Sequence, residues 1–287
     1  MFSLGMKKDL LLNDEEKQRR KSLIEQRKLL QLNRNCPTNE FLLSIEDKLT
    51  IERVCSSFLL NFQNDLTDEY RESLTDRLSA IVFWSHLVEK GILNLIQYFR
   101  QIEQFEKLNN EDRFLIIKYN LSIMYPILKS FYYNSTNGRF QYEDIDHAER
   151  RTRFYQFCFN SQHLSIQFRS IIHFLWQITE NDPIIVSFLL LILLFSQNLS
   201  AEVNVPLFQD QLSIFQIQCH FTNTLCKYLI NKHGEIRSIN TFSRLIRGIF
   251  QIQNLNQLFQ QTFHSQIIQT NQIDQLAPLM QTVLHIV

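Results

Sequence analysis

Apolar residues recur along most of this chain at the three- and four-residue steps of an α-helix. Ile51, Val54, Cys55, Phe58, Leu59 and Phe62 form one such series within Phe41–Leu66, and the polar stretch Asp65–Asp76 reads as a loop. Leu78–Phe105 predicts a long helix, with Ile81, Trp84, Ser85, Val88 and Gly91 on one stripe. Further apolar positions fall at Leu95, Ile96, Phe99, Ile102, Phe105 and Leu108, then resume at Phe114, Ile116 and Ile117. The interruption, Asn109-Asn110-Glu111-Asp112, predicts a turn and a new helix start. Asn109 or Asn110 can accept a hydrogen bond from a free N–H, and Glu111 and Asp112 suit the positive end of a helix dipole. Arg100 and Lys118 stand at either end of this corner.

Arg113–Tyr133 continues as a helix with Pro126 inside it, which removes a backbone donor and predicts a kink. Asn134–Gly138 is a turn between Tyr132-Tyr133 and Phe140-Gln141-Tyr142, the pattern of a short β-hairpin. Residues 143–160 are charged, then aromatic. Leu164–Glu180 and Ile184–Leu199 read as two more helices, the second buried, with Asn181-Asp182 as its cap and Pro183 in its first turn. At the other end of the chain, residues 1–35 carry an excess of Lys and Arg. Asn13-Asp14-Glu15-Glu16 looks like a helix start there, and Cys36-Pro37-Thr38-Asn39 is a break.

Composition narrows the class. With 5 Gly and 5 Pro in 287 residues, breakers are too few for a many-turned β-fold. Hydrophobic residues are 45%, with 24 Phe, enough for a thick aromatic core. Lys+Arg and Asp+Glu balance at 29 each, so the whole chain has no field that would bind nucleic acid unaided. Cys36, Cys55, Cys158, Cys219 and Cys226 form no CxxC pair, and Cys219, Cys226 and His233 lack a zinc spacing. They read as buried thiols in a reducing compartment. No signal peptide is expected from the charged start. Ile184–Phe195 falls far short of the ~20 apolar residues that span a bilayer. Among the 8 His no metal spacing occurs, and no phosphate loop or nucleophile elbow is present. The expectation is no enzyme, no metal and no cofactor.

The corner between Arg100 and Lys118 resembles the signature of the nuclear receptor ligand-binding domain. That family has an aromatic-small-Lys step closing helix 3, then Asp-Gln-x-x-Leu-Leu-Lys opening helix 4. Here Tyr98-Phe99-Arg100 and Asp112-Arg113-Phe114-Leu115-Ile116-Ile117-Lys118 stand at matching spacing, with Phe99, Arg100 and Arg113 as departures. Gly5-Met6-Lys7-Lys8-Asp9 with Asp14-Glu15-Glu16 is similar to the segment after the second zinc finger in the vitamin D and pregnane X receptor branch, although the finger cysteines are absent. Gln209–His233 and Asn240–Gln269 resemble helices 9 and 10/11. Leu276–Leu284 resembles the activation helix, with Thr282 where the family has Glu. Gln253 and Phe259 replace a structural Arg and a ligand-binding His.

The resemblance implies an all-α fold, a three-layer antiparallel helical sandwich with a small β-hairpin, over residues 41–287. It makes residues 1–40 a basic post-zinc-finger extension and hinge. Ile81, Trp84, Ser85, Val88, Gly91, Ser122, Tyr125, Leu128 and Phe259 would line a pocket for a lipophilic, sterol-like ligand, with Gly91 leaving space. Ile96, Arg100, Phe114, Ile117, Lys118, Leu279, Thr282 and Val283 would form the groove for a coactivator or corepressor helix. The implied setting is transcription regulation in the nucleus, with a retinoid X-type heterodimer partner. DNA contact would be weak, through the basic segment only, and no membrane is involved. The competing expectation is an α-helical interaction domain with no small-molecule ligand, its pocket stripe filled by Phe side chains.

Overall fold

The structure, a computed structural model, describes residues 43–62, 76–141, 143–197, 199, 206–270 and 273–283. The chain divides into Met1–Leu42 and Leu43–Val287, and every described residue belongs to the second unit. The expected basic extension and its helix at Asn13 therefore lie outside the described residues, as does the 65–76 loop except for Asp76.

Helix α1 (Ile45–Phe62) starts on a reciprocal cap. The Asp47 N–H donates to Ser44 Oγ at 3.0 Å, and the Ser44 N–H donates back to Asp47 Oδ2 at 3.0 Å. Helix α2 (Arg77–Arg100) is capped by Asp76, which accepts from the Ser79 N–H at 2.9 Å. It ends at Arg100 rather than Phe105. Ile102 is extended, and a single turn, α3 (Glu103–Glu106), follows. The apolar spacing runs across this break because Ile102, Phe105 and Leu108 all remain buried. Helix α4 (Asn110–Tyr132) is capped by Asn109, which accepts from the Asp112 N–H at 2.8 Å, and it continues through Pro126. Pro126 offers no N–H to the Ser122 carbonyl one turn back.

Strands β1 (Tyr133–Asn134) and β2 (Arg139–Phe140) pair antiparallel, Tyr133 opposite Phe140, with Gly138 at φ +70° closing the turn. The charged-to-aromatic stretch forms α5 (Ile145–Phe159), started by Asp144. Helices α6 (Gln162–Thr179) and α7 (Pro183–Leu194) meet through Glu180 and Asn181, both left-handed. Asp182 caps α7 and Pro183 opens it, as read; the helix stops at Leu194, short of Leu199. Helices α8 (Gln211–His233) and α9 (Glu235–Thr270) are separated only by Gly234, at φ +77°. A 3-10 turn (Ile273–Gln275) leads into α10 (Pro278–Val283).

The fold is all-α with one small hairpin. Helices α1 and α2 pack on α7 and α4; α4, α7 and α8 form the middle; α6 and α9 lie against α4 and α8 on the far side. Two buried carboxylates stitch these layers. Asp112, which suits its own helix dipole by position, instead accepts from the Gln209 N–H at 2.7 Å and the Asp210 N–H at 3.1 Å, at the start of α8. Asp47 meets Lys227 Nζ of α8 at 2.8 Å. Burial pushes the Asp47 carboxyl up, but bonds from Lys227 and Ser44 outweigh this and hold it below the usual carboxylate range. No single described helix is long and apolar enough to cross a membrane.

Candidate functional site

Helix α2 carries the chemistry of both expected sites, on two faces. Along its inner face Trp84, Val88 and Ile92 meet α4, α5, α6, α9 and α10 around a cavity of about 30 Å³. That is room for one or two water molecules. Of the residues expected to line it, Trp84, Val88, Ser122, Tyr125 and Phe259 do so. Ile81, Ser85, Gly91 and Leu128 do not; they are packed in the core around it. A Cβ added at Gly91 would stand 3.6 Å from the Tyr125 ring, an ordinary contact, so the glycine borders a neighbouring side chain rather than free space.

Aromatic rings occupy most of the inner site. Trp84 lies 4.8 Å from Phe263 between ring centroids, and Phe159 stacks on Phe259 at 4.5 Å. Phe259 also stacks on Phe263 at 6.0 Å, and Tyr155 on Phe159 at 5.3 Å. In the wall Asn256 Nδ2 donates to Ser122 Oγ at 3.0 Å. Met280 and Val283 of α10 close the cavity. Val283, expected in the outer groove, is fully buried and lines the inner cavity beside Met280.

The outer row of α2 lies about 100° round the helix. Glu89, Leu93, Ile96 and Arg100 follow each other at steps of four, three and four, so they share a line. Leu93 is 48% exposed, and Phe114 on α4 is 54% exposed. Ile96, Ile117, Lys118, Leu279 and Thr282 are half-buried. Helix α10 packs on both α2 and α4. The Leu279 N–H donates to Glu89 Oε1 at 3.0 Å, which fixes the tail at the Glu89 end of the row. Arg100 stands eleven positions after Glu89, roughly 16 Å along the helix. Sequence reading missed Glu89 and Leu93; the three- and four-residue spacing from Ile96 and Arg100 was the signal available.

At the basic end the two cations differ. Arg100 Nε lies 3.3 Å from Glu106, whose other oxygen holds Arg113 at 2.8 Å. Lys118 has no acidic partner among the described residues; its ammonium lies 5.8 Å from the Tyr119 ring centroid. The corner therefore sets the Lys118 ammonium on the helix face of the exposed Phe114 ring rather than against a carboxylate of the described residues. At the tail end Thr282 brings no charge, and Glu89 Oε1 accepts from the tail.

Burial pushes the Cys158, Cys55 and Cys226 thiols up, away from the thiolate form. No group of three or more His, Cys, Asp or Glu is placed to hold a metal ion among the described residues. Comparison of the chain with models of known protein families gives no match, and no curated protein matches it.

Proposed function

We propose that this domain docks a short amphipathic helix along the row Leu93–Ile96–Phe114–Ile117, as a nuclear receptor ligand-binding domain docks its coregulators. The observation that carries the reading is the seat of α10. The tail lies on α2 and α4, anchored at Glu89 roughly 16 Å of helix from Arg100, with Leu93 exposed between them. A docked helix would present its C-terminal carbonyls to Lys118 and Arg100 and its leucines to the apolar row. Its length, two to three turns, fits the roughly 16 Å between the tail anchor and the basic end. In this reading the protein works in transcription regulation in the nucleus. The exposed apolar line Ile236, Ile239, Ile246 and Phe250 on α9 supports pairing with a second receptor-type subunit.

The interior supports docking without a lipophilic ligand. Drug-sized pockets run to roughly 300–1,000 Å³, an order of magnitude above the room beside Trp84. A ligand-regulated version of the same function would need Phe159 and Phe259 to rotate away, exposing the Ser122–Asn256 pair to the ligand's polar end.

The test is a titration of the full chain with a fluorescent amphipathic peptide bearing leucines at i, i+3 and i+4. Phe114→Ala and Lys118→Glu are each expected to weaken binding about tenfold. Absence of binding by the unaltered protein, or variants that both bind as tightly as the unaltered protein, would overturn the reading.

A further inference from the structure

We infer that Glu89, with Ser85, is the positioning residue of the groove: helix α2 itself holds α10 shut, with nothing required in the core. The functional meaning rests on the docking reading above; the anchoring does not.

The backbone donors of the tail can be accounted for one by one. The Leu276 N–H bonds to the Ile273 carbonyl at 3.0 Å. The Ala277 N–H donates to Ser85 Oγ at 3.2 Å. Pro278 has no N–H. The Leu279 N–H donates to Glu89 Oε1 at 3.0 Å. The Met280 and Gln281 N–H groups both reach the Ala277 carbonyl, at 2.9 and 3.1 Å. The two donors that a helix start leaves without a carbonyl, those of Ala277 and Leu279, are the two that α2 accepts. A six-residue helix is too short to be stable alone, so its position depends on such anchors and on its buried side.

The acceptors are set in advance. Ser85 and Glu89 are one turn apart on α2. The Ser85 hydroxyl donates to the Val82 carbonyl at 2.6 Å, which leaves its lone pairs for Ala277. Beneath the anchors, Leu276, Ala277, Met280 and Val283 are buried, and Met280 and Val283 face Val88 and Ile92 across the small cavity. Both the polar and the apolar fastening come from the protein. One oxygen of the carboxylate at this end of the row is thus held by the tail, and the affinity of a partner helix leans on Lys118 and the apolar row.

Hydrogen exchange of the full chain, read over residues 277–283, tests this. Glu89→Ala should speed exchange of these amides about tenfold or more, while α4 and α7 keep their protection. Ser85→Ala should act in the same direction. Glu89→Gln, which keeps an oxygen acceptor without the charge, should fall between and serves if Ser85→Ala fails to fold. Unchanged tail exchange in the Glu89 variants, or a tail that exchanges freely in the unaltered protein, overturns the inference. Titration of the same variants with the leucine peptide separates the two readings. A tail loosened by Glu89→Ala, in a protein that never binds peptide, leaves the anchoring standing and removes the docking function. Equal peptide binding with unchanged exchange does the reverse.

Discussion

Helix α2 shows two faces to the rest of the molecule, and they are finished differently. The inner face, at Trp84, Val88 and Ile92, is packed against rings until about 30 Å³ remains. The outer row, at Leu93 and Ile96, lies beside an exposed Phe114 and a Lys118 that has no acidic partner among the described residues. Apolar residues build both, so hydrophobicity does not distinguish them. Enclosure does. A face covered by α5, α6, α9 and α10 is closed by its own neighbours, while the face between α10 and the α3 turn keeps Leu93 exposed among the described residues. Of the two sites expected from sequence, the inner one is packed with rings, and the outer one keeps Leu93 and Phe114 exposed.

The comparison can be broken most severely from the inside. Phe263→Ala removes the ring that meets Trp84, Phe159 and Phe259; as a large-to-small change in a packed core it should cost about 3–5 kcal/mol in denaturant unfolding. A much smaller loss would mean that the inner face is a loosely filled pocket rather than core. A control away from both faces comes next. Asp47→Asn weakens the tie between α1 and α8, and about 1–2 kcal/mol should be lost at pH 7. The folded carboxyl sits below its ordinary value of 3.8, so its contribution is present above that pH and disappears as pH falls through the lower folded value. Stability curves of variant and unaltered protein should therefore converge in acid and stay apart at neutral pH.

The outer row should respond the opposite way. Phe114→Ala should leave unfolding within about 0.5 kcal/mol of the unaltered protein, because the ring is largely exposed, while peptide binding falls about tenfold. A large loss of stability would place Phe114 in the core and close the groove. Thr282→Glu should sharpen the contrast most gently, strengthening peptide binding a few-fold by adding a charged acceptor at the tail end. Lipid extraction of the purified protein, followed by mass spectrometry, should return no stoichiometric lipid; a bound lipid would reassign the inner face as a ligand site.

Much of this was legible in order along the chain. The caps at Asn109 and Asp182, the Pro183 start, the turn closed by Gly138 and the helical stripes all depend on a few adjacent residues, and they stand where their spacing puts them. Helix α5 escaped because its charged first half hides the apolar set Phe154, Tyr155, Cys158 and Phe159. The break after Arg100 escaped because apolar spacing survives it.

Spacing alone determined that the chain is helical, where most helices start, and which residues of α2 share a line, because these follow from the 3.6-residue repeat and from donors left free at helix ends. Whether the stripe at Trp84 encloses a space or a stack of rings was decided only when α5, α6 and α9 brought Phe159, Phe168 and Phe259 to it from distant parts of the chain. The same holds for Val283, turned inward by the seat of α10, and for Glu89, whose partner Leu279 lies far along the sequence. Volume and long-range pairing arise between elements, and no local pattern records them.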